Sequence, residues 1–180
     1  GAAMGGIVAV FEMPNTKPST LTAAELADKV TRAQGRAWTD HAFFMGAAAE
    51  NADRLGELEK VPGCSGVKIF MGSSTGSLLV ADDATLERAL RSGTRRCAVH
   101  AEDEARLVER RALVEPSAHP RMHPVWRDEE TAIRATRRLL ALARKVGRRV
   151  HVLHGTTAEE MELRSEEHTS ELQSLRHLVC

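Results

Sequence analysis

A lysine stands in the middle of the apolar run Gly66-Val67-Lys68-Ile69-Phe70-Met71, and two later runs of similar character end in His100 and His154. An ammonium group moved into a low-dielectric interior either gives up its proton or needs a partner. A neutral buried amine can take up carbon dioxide to form a carbamate, an oxygen ligand able to bridge two divalent cations. Imidazole and carboxylate-like oxygen both suit zinc, and a pair of ions can activate the water between them. Lys68, His100 and His154 are therefore the candidate metal ligands. Blander readings exist for each. A lysine in an apolar stretch also occurs as a snorkelling edge residue, and a single strand-end histidine as a hydrogen-bonded core residue. Side chains two apart share a strand face. Lys68 is thus grouped with Gly66 and Phe70, His100 with Ala98, and His154 with Val150 and Val152. His151 has the opposite parity to His154 and is expected to point toward a helix layer. His41 is expected to be structural; His119 and His123 fall in a proline loop, solvated or lining a lid.

The elements that must position these groups follow from the apolar pattern. Strands are expected over 7–13, 38–45, 66–71, 97–100 and 150–154, each a short run bounded by glycine, proline or charged residues. Thr22-Ala23-Ala24-Glu25 has the form of a capping box ahead of a helix carrying Leu26, Ala27 and Val30. A weak helix is expected over 50–58. Another follows Asp82 or Asp83, and a charged one spans 102–113. The strongest covers 128–146, with Gly147 ending it. Residues 116–124 (PSAHPRMHP) contain three prolines and read as an irregular loop, and a last helix starts at Ala158. Strands alternating with helices imply parallel βα units. An open nucleotide-binding sheet would want a glycine-rich phosphate loop, and the 72–76 segment GSSTG matches neither common form. A (β/α)8 barrel is favoured, because the polar candidates converge at strand C-terminal ends, where barrel active sites lie.

Bulk properties set broad limits. The chain has 180 residues, zero formal net charge, 28% charged and 42% hydrophobic residues, and no tyrosine. This balance offers nothing for a nucleic-acid or acidic-membrane partner. No apolar run approaches the ~20 residues of a membrane span, and no signal peptide opens the chain. Three scattered cysteines, Cys64, Cys97 and Cys180, fit a reducing compartment, so a cytoplasmic location is expected. Residues 164–180 (RSEEHTSELQSLRHLVC) break from the Ala/Arg-rich style before them and match the translation of a sequencing adapter. The expected division is 1–163 as natural chain and 164–180 as a non-native tail, in which His168, His177 and Cys180 carry no functional weight. The competing reading of that tail is an amphipathic C-terminal helix.

Four segments carry a family likeness. MPNT at 13–16, GVKIFMGSSTG at 66–76, VHAEDEARL at 99–107 and VHVLHGTTAEE at 150–160 resemble the dihydroorotases. More broadly they resemble the cyclic amidohydrolases, which include dihydropyrimidinase, hydantoinase and allantoinase. The resemblance covers residues 1–163 and implies an α/β fold, a partial (β/α)8 TIM barrel holding barrel strands two to six. It implies that Lys68 is carboxylated and bridges two zinc ions, that His100 and His154 are the ligands of strands five and six, and that Asn15 binds the substrate carboxylate. The implied reaction is the reversible hydrolysis of the cyclic amide of dihydroorotate to N-carbamoyl-aspartate, a step of pyrimidine biosynthesis on a small-molecule substrate. A homo-oligomer is compatible with it. The alternatives are a dihydropyrimidinase, hydantoinase or allantoinase type of cyclic amidase, or an inactive dihydroorotase-like scaffold subunit. Departures from the pattern matter. The family's first-strand His-x-His pair and neighbouring arginine would precede Gly1, and its strand-eight aspartate would follow Leu163. The chain is therefore read as a fragment, expected to be inactive, with two unpaired sheet edges. Ser73 stands where hydantoinases carry a tyrosine, which disfavours that type; Gly155 replaces a larger apolar residue. Arg127 and Glu130 match a family position ahead of the long helix, with no role assigned.

Overall fold

The structure, a computed structural model, describes residues 1–72, 78–115 and 119–170, with side chains as far as 165. Five strands form one sheet: β1 (Ala9–Glu12), β2 (Asp40–Gly46), β3 (Cys64–Phe70), β4 (Cys97–His100) and β5 (Val150–Leu153). All neighbours are parallel and the spatial order is the chain order. A doubly wound sheet reverses its strand order at a switch point. Monotonic order with helices on one face is instead the arrangement of a barrel wall. The chain is thus a partial (β/α)8 barrel, as the spacing of its apolar runs predicts.

Local chemistry accounts for the helices. Thr22 caps α1 (Ala23–Ala33): the Glu25 amide donates to the Thr22 hydroxyl at 3.4 Å, and the Thr22 amide donates back to the Glu25 carboxylate at 2.8 Å. Of the two candidate aspartates it is Asp82 that caps, accepting the Thr85 amide at 2.8 Å; between β2 and β3 lies only the single turn α2 (Leu55–Leu58), and α3 (Asp83–Arg91) follows β3. The expected helix over 50–58 is therefore a four-residue turn preceded by a 3₁₀ turn at Ala52–Arg54. Asn51 explains the shortening. It is buried, and its side chain accepts from the Ala48 amide and donates to the Leu21 and Gly46 carbonyls, so the chain is pinned before a helix can start. After β4 come α4 (Glu104–Arg111), a short α5 (His123–Trp126) that starts at the end of the expected proline loop, and α6 (Glu129–Val146). α6 starts at Asp128 and ends on left-handed Gly147 (φ 70°). The last helix, α7 (Ala158–Ser170), runs on past Leu163. Residues 171–180, including His177 and Cys180, lie outside the described residues, as do Ser73 and most of the loop after β3; the His168 side chain lies outside as well.

Strand register divides the sheet into two faces. Val67, Cys97 and Val150 are partners, as are Ile69, Val99 and Val152. Most of these side chains are buried in one core with Leu86 and Leu90 of α3 and Leu139 of α6. Each of those leucines is at most 1% exposed, and burying one is worth roughly 1.5–3 kcal/mol. The opposite face carries Lys68, Ala98 and His151 in one row and Phe70, His100 and Leu153 in the next. This corrects the expectation for His151, which shares the inner face with Lys68 instead of pointing to the helices. The parity was counted from His154, which lies one residue beyond the end of β5.

A buried polar clip closes the end of the sheet opposite the strand C-termini. The Glu59 carboxylate accepts the amides of Thr94 (2.7 Å) and Arg95 (3.2 Å) and pairs with Arg148 at 3.0 Å, and both side chains are almost fully buried. Arg148 also donates to the Ser92 carbonyl at 3.1 Å. Gly93 is required beside them, since its φ is 98° and a Cβ there would sit 2.8 Å from the Glu59 carboxylate. The turns entering β4 and β5 are thereby tied to α2. Arg148→Met strands a buried carboxylate without its counter-charge, and is expected to cost about 3–5 kcal/mol by urea denaturation. The double variant Glu59→Gln/Arg148→Met should recover part of that loss. An additive double-mutant cycle would show that the two residues act independently.

Candidate metal centre

The inner face at the strand ends is where the predicted groups meet. Lys68 is only 2% exposed, and among the described residues no carboxylate pairs with it. Its Nζ donates to the Ile69 carbonyl at 2.9 Å and stands 3.8 Å from the centre of the Phe70 ring. Burial pushes its ammonium down from 10.5 to about 7. The Phe70 ring lies 6.1 Å from His100, and His100 lies 5.6 Å from His154, ring centre to ring centre. The two imidazoles are direct neighbours, and Lys68 is linked to them across Phe70.

His154 reaches this position by leaving the strand. Simple alternation would turn it toward the helices with Val150 and Val152, but its φ is 56°, the only positive value outside glycine among the described residues. The left-handed turn swings the ring over the sheet edge to His100. A non-glycine residue held there costs on the order of 1–3 kcal/mol, and such outliers cluster at functional sites. The sequence grouping of His154 with Val150 and Val152 holds for neither its backbone nor its contacts.

Two residues without an assigned role complete the arrangement. His100 Nε2 is 2.5 Å from Glu102 Oε2, and Arg127 grips the same carboxylate through both Nε (2.8 Å, to Oε1) and Nη2. Burial raises the Glu102 carboxyl, but the hydrogen bonds from Arg127 and His100 outweigh it and leave the group at about 2. Arg127 arrives from the end of α5, 25 positions away in sequence, so spacing alone cannot pair it with Glu102. Asn15 is exposed in the loop after β1, and no hydrogen bond among the described residues ties it to Lys68, His100 or His154. His41 is exposed and packs edge-on to Phe43; His119 is exposed and accepts the Arg121 amide. A cavity of about 860 Å³ opens beside the centre, lined by Glu102, His123, Arg127, His154 and Thr156, and Lys68 and His100 do not line it. Gly155 adjoins α7, where a Cβ would meet the ends of Met161 and Arg164.

Among the described residues, no three His, Cys, Asp or Glu side chains form a ready cage for an ion. The donor set nonetheless fits a metal assembled on a modified lysine. Two imidazoles adjoin, and His100 Nδ1 has no hydrogen-bond partner among the described residues. Close by is a buried amine whose burial favours the uncharged form.

Parallel strands in chain order, a helix-covered outer face and polar groups gathered at the strand C-termini define the wall of a (β/α)8-type barrel with a candidate site at its mouth. No family model matches the chain. It is 30% identical over 161 residues to a dihydroorotase of Methanosarcina acetivorans, covering 88% of this chain and 34% of that protein. It is 29% identical over 162 residues to an allantoinase of Bacillus velezensis, covering 86% and 36%. The L-hydantoinase (dihydropyrimidinase) of Arthrobacter aurescens shares the fold with a TM-score of 0.83 over 94% of this chain and 39% of its own, at 24% identity. D-hydantoinase from Bacillus sp. AR9 matches at a TM-score of 0.79 and 28% identity over 94% and 38%. The chain thus spans about a third of the length of the curated relatives it matches. These relatives and neighbours are all cyclic amidohydrolases, and it is to that family that the chain is similar.

The depressed lysine has a measurable consequence. Unfolded, Lys68 titrates near 10.5; folded, near 7. Between those values the unfolded chain holds the extra proton, so this group makes wild-type stability rise with pH. Lys68→Met lacks the effect. In carbon-dioxide-free buffer its stability advantage over wild type should be on the order of 2–4 kcal/mol at pH 7 and shrink toward pH 10.5. An advantage that stays flat over that window would mean the amine is hydrated.

Proposed function

We propose that the protein is a zinc-dependent dihydroorotase that interconverts dihydroorotate and N-carbamoyl-aspartate, with Lys68 carboxylated and His100 and His154 as metal ligands. The observation that carries the reading is a buried lysine, with no carboxylate partner among the described residues, linked across Phe70 to two adjoining strand-end imidazoles. A zinc pair held there would supply a Lewis acid for the amide carbonyl and a water of lowered pKa. The chain's own groups do the rest. Burial keeps the Lys68 amine competent to take up carbon dioxide at neutral pH. The left-handed turn at His154 sets its ring against His100, and the Glu102–Arg127 pair holds His100 from behind. Asn15 is proposed as a contact to the substrate carboxylate, from the loop at the C-terminal end of β1.

The relatives named dihydroorotase support this substrate, and those named allantoinase or hydantoinase support a second reading, a cyclic amidase acting on another ring. The absence of tyrosine from the chain favours the first over a hydantoinase type. No described helix is long and apolar enough to cross a membrane. A panel of dihydroorotate, hydantoin, dihydrouracil and allantoin, run on the full-length protein, should show turnover of dihydroorotate; turnover of hydantoin without dihydroorotate would overturn the choice. Lys68→Ala should abolish the bridged pair, and two zinc ions per chain in that variant, by elemental analysis, would contradict the ligand role.

A further inference from the structure

We infer that Glu102, braced by Arg127, is a positioning residue that fixes the orientation of the His100 ring and keeps the proton on Nε2, leaving Nδ1 as the donor nitrogen. The inference deepens the metal-site reading and rests on it only for the binding arm of the test.

The contacts form a continuous brace. Trp126 donates through Nε1 to the Leu107 carbonyl at 2.8 Å, fixing the indole against α4. The Arg127 guanidinium stands 5.7 Å from the centre of that ring. Arg127 then holds both oxygens of Glu102, a bidentate geometry that restrains the carboxylate in its plane. Glu102 in turn faces His100 Nε2 at 2.5 Å. The three side chains are 22%, 14% and 20% exposed, so water competes weakly for these bonds. An ionised carboxylate only accepts hydrogen bonds, so the nitrogen facing it must carry the proton. In the neutral ring the lone pair then lies on Nδ1, which makes no hydrogen bond among the described residues. A ligating histidine whose second nitrogen is held by a carboxylate is fixed in both tautomer and direction, and losing that carboxylate typically weakens metal affinity 10–100-fold.

Two measurements on the full-length protein test the brace. Proton NMR with nitrogen-15 labelling should show the His100 Nε2–H as a downfield, slowly exchanging resonance. It should vanish in Glu102→Ala, weaken in Arg127→Ala and partly return in Arg127→Lys, with circular dichroism confirming that each variant folds. Titration with cobalt(II), followed by its visible absorption, should give 10–100-fold weaker binding for Glu102→Ala than for wild type. An Nε2–H resonance that survives Glu102→Ala, or equal cobalt affinity in that variant, would overturn the inference. If wild type bound no cobalt while the resonance still depended on Glu102, the brace would stand and the metal reading would fall.

Discussion

An amine sealed between strands without a counter-ion is the constraint around which the rest of the inner face is arranged. The fold compensates Lys68 with one carbonyl and one aromatic face, which is less than an ammonium group needs. The residue is therefore held close to its neutral form, and that state is a chemical resource. Every neighbouring feature follows the same logic. Phe70 keeps water from the amine, Gly46 is its partner in the adjoining strand, and buried Asn51 secures Gly46 by accepting the turn's amide and donating to the Gly46 carbonyl. A carboxylate placed near Lys68 would have restored its charge.

Stability is supplied elsewhere. The helix-facing side of the sheet is a continuous aliphatic core, and the two best-satisfied buried carboxylates stand outside the reactive cluster. Glu59 ties together the turns that enter β4 and β5. Glu160 accepts from Thr136, from both backbone amides of the turn after β5 and from the Thr157 hydroxyl, and so docks α7 on α6. Both ends of the β5 unit are thus clamped while the ring-bearing residue between them occupies a costly conformation. Such strain persists only where the surroundings over-determine it.

The barrel wall was legible because it depends on short-range signals: β-branched runs, a capping box at Thr22, and a left-handed glycine after the long helix. Lys68 stood out for the same reason, as one polar residue in an apolar run. What could not be read is whatever depends on one backbone angle or on long-range pairing. Alternation misplaced His151 and His154 together, because a single left-handed residue after β5 breaks the period. Arg127 was visible as a residue without a role; nothing in its spacing points to Glu102, which it meets only when α5 folds back over α4. The helix expected over 50–58 came out shorter, as a 3₁₀ turn and one α-helical turn, because buried Asn51 spends its side chain holding the turn before it.

The left-handed turn at His154 also limits what evolution can do with that position. Valine, isoleucine and threonine are barred by their branched Cβ, and only asparagine or aspartate among other potential donors tolerates the conformation readily. Glycine would relax the backbone and delete the imidazole at once. The identity of this residue is therefore governed by the turn that presents it as much as by the role proposed for it, whereas the proposed partner His100 sits on ordinary strand backbone.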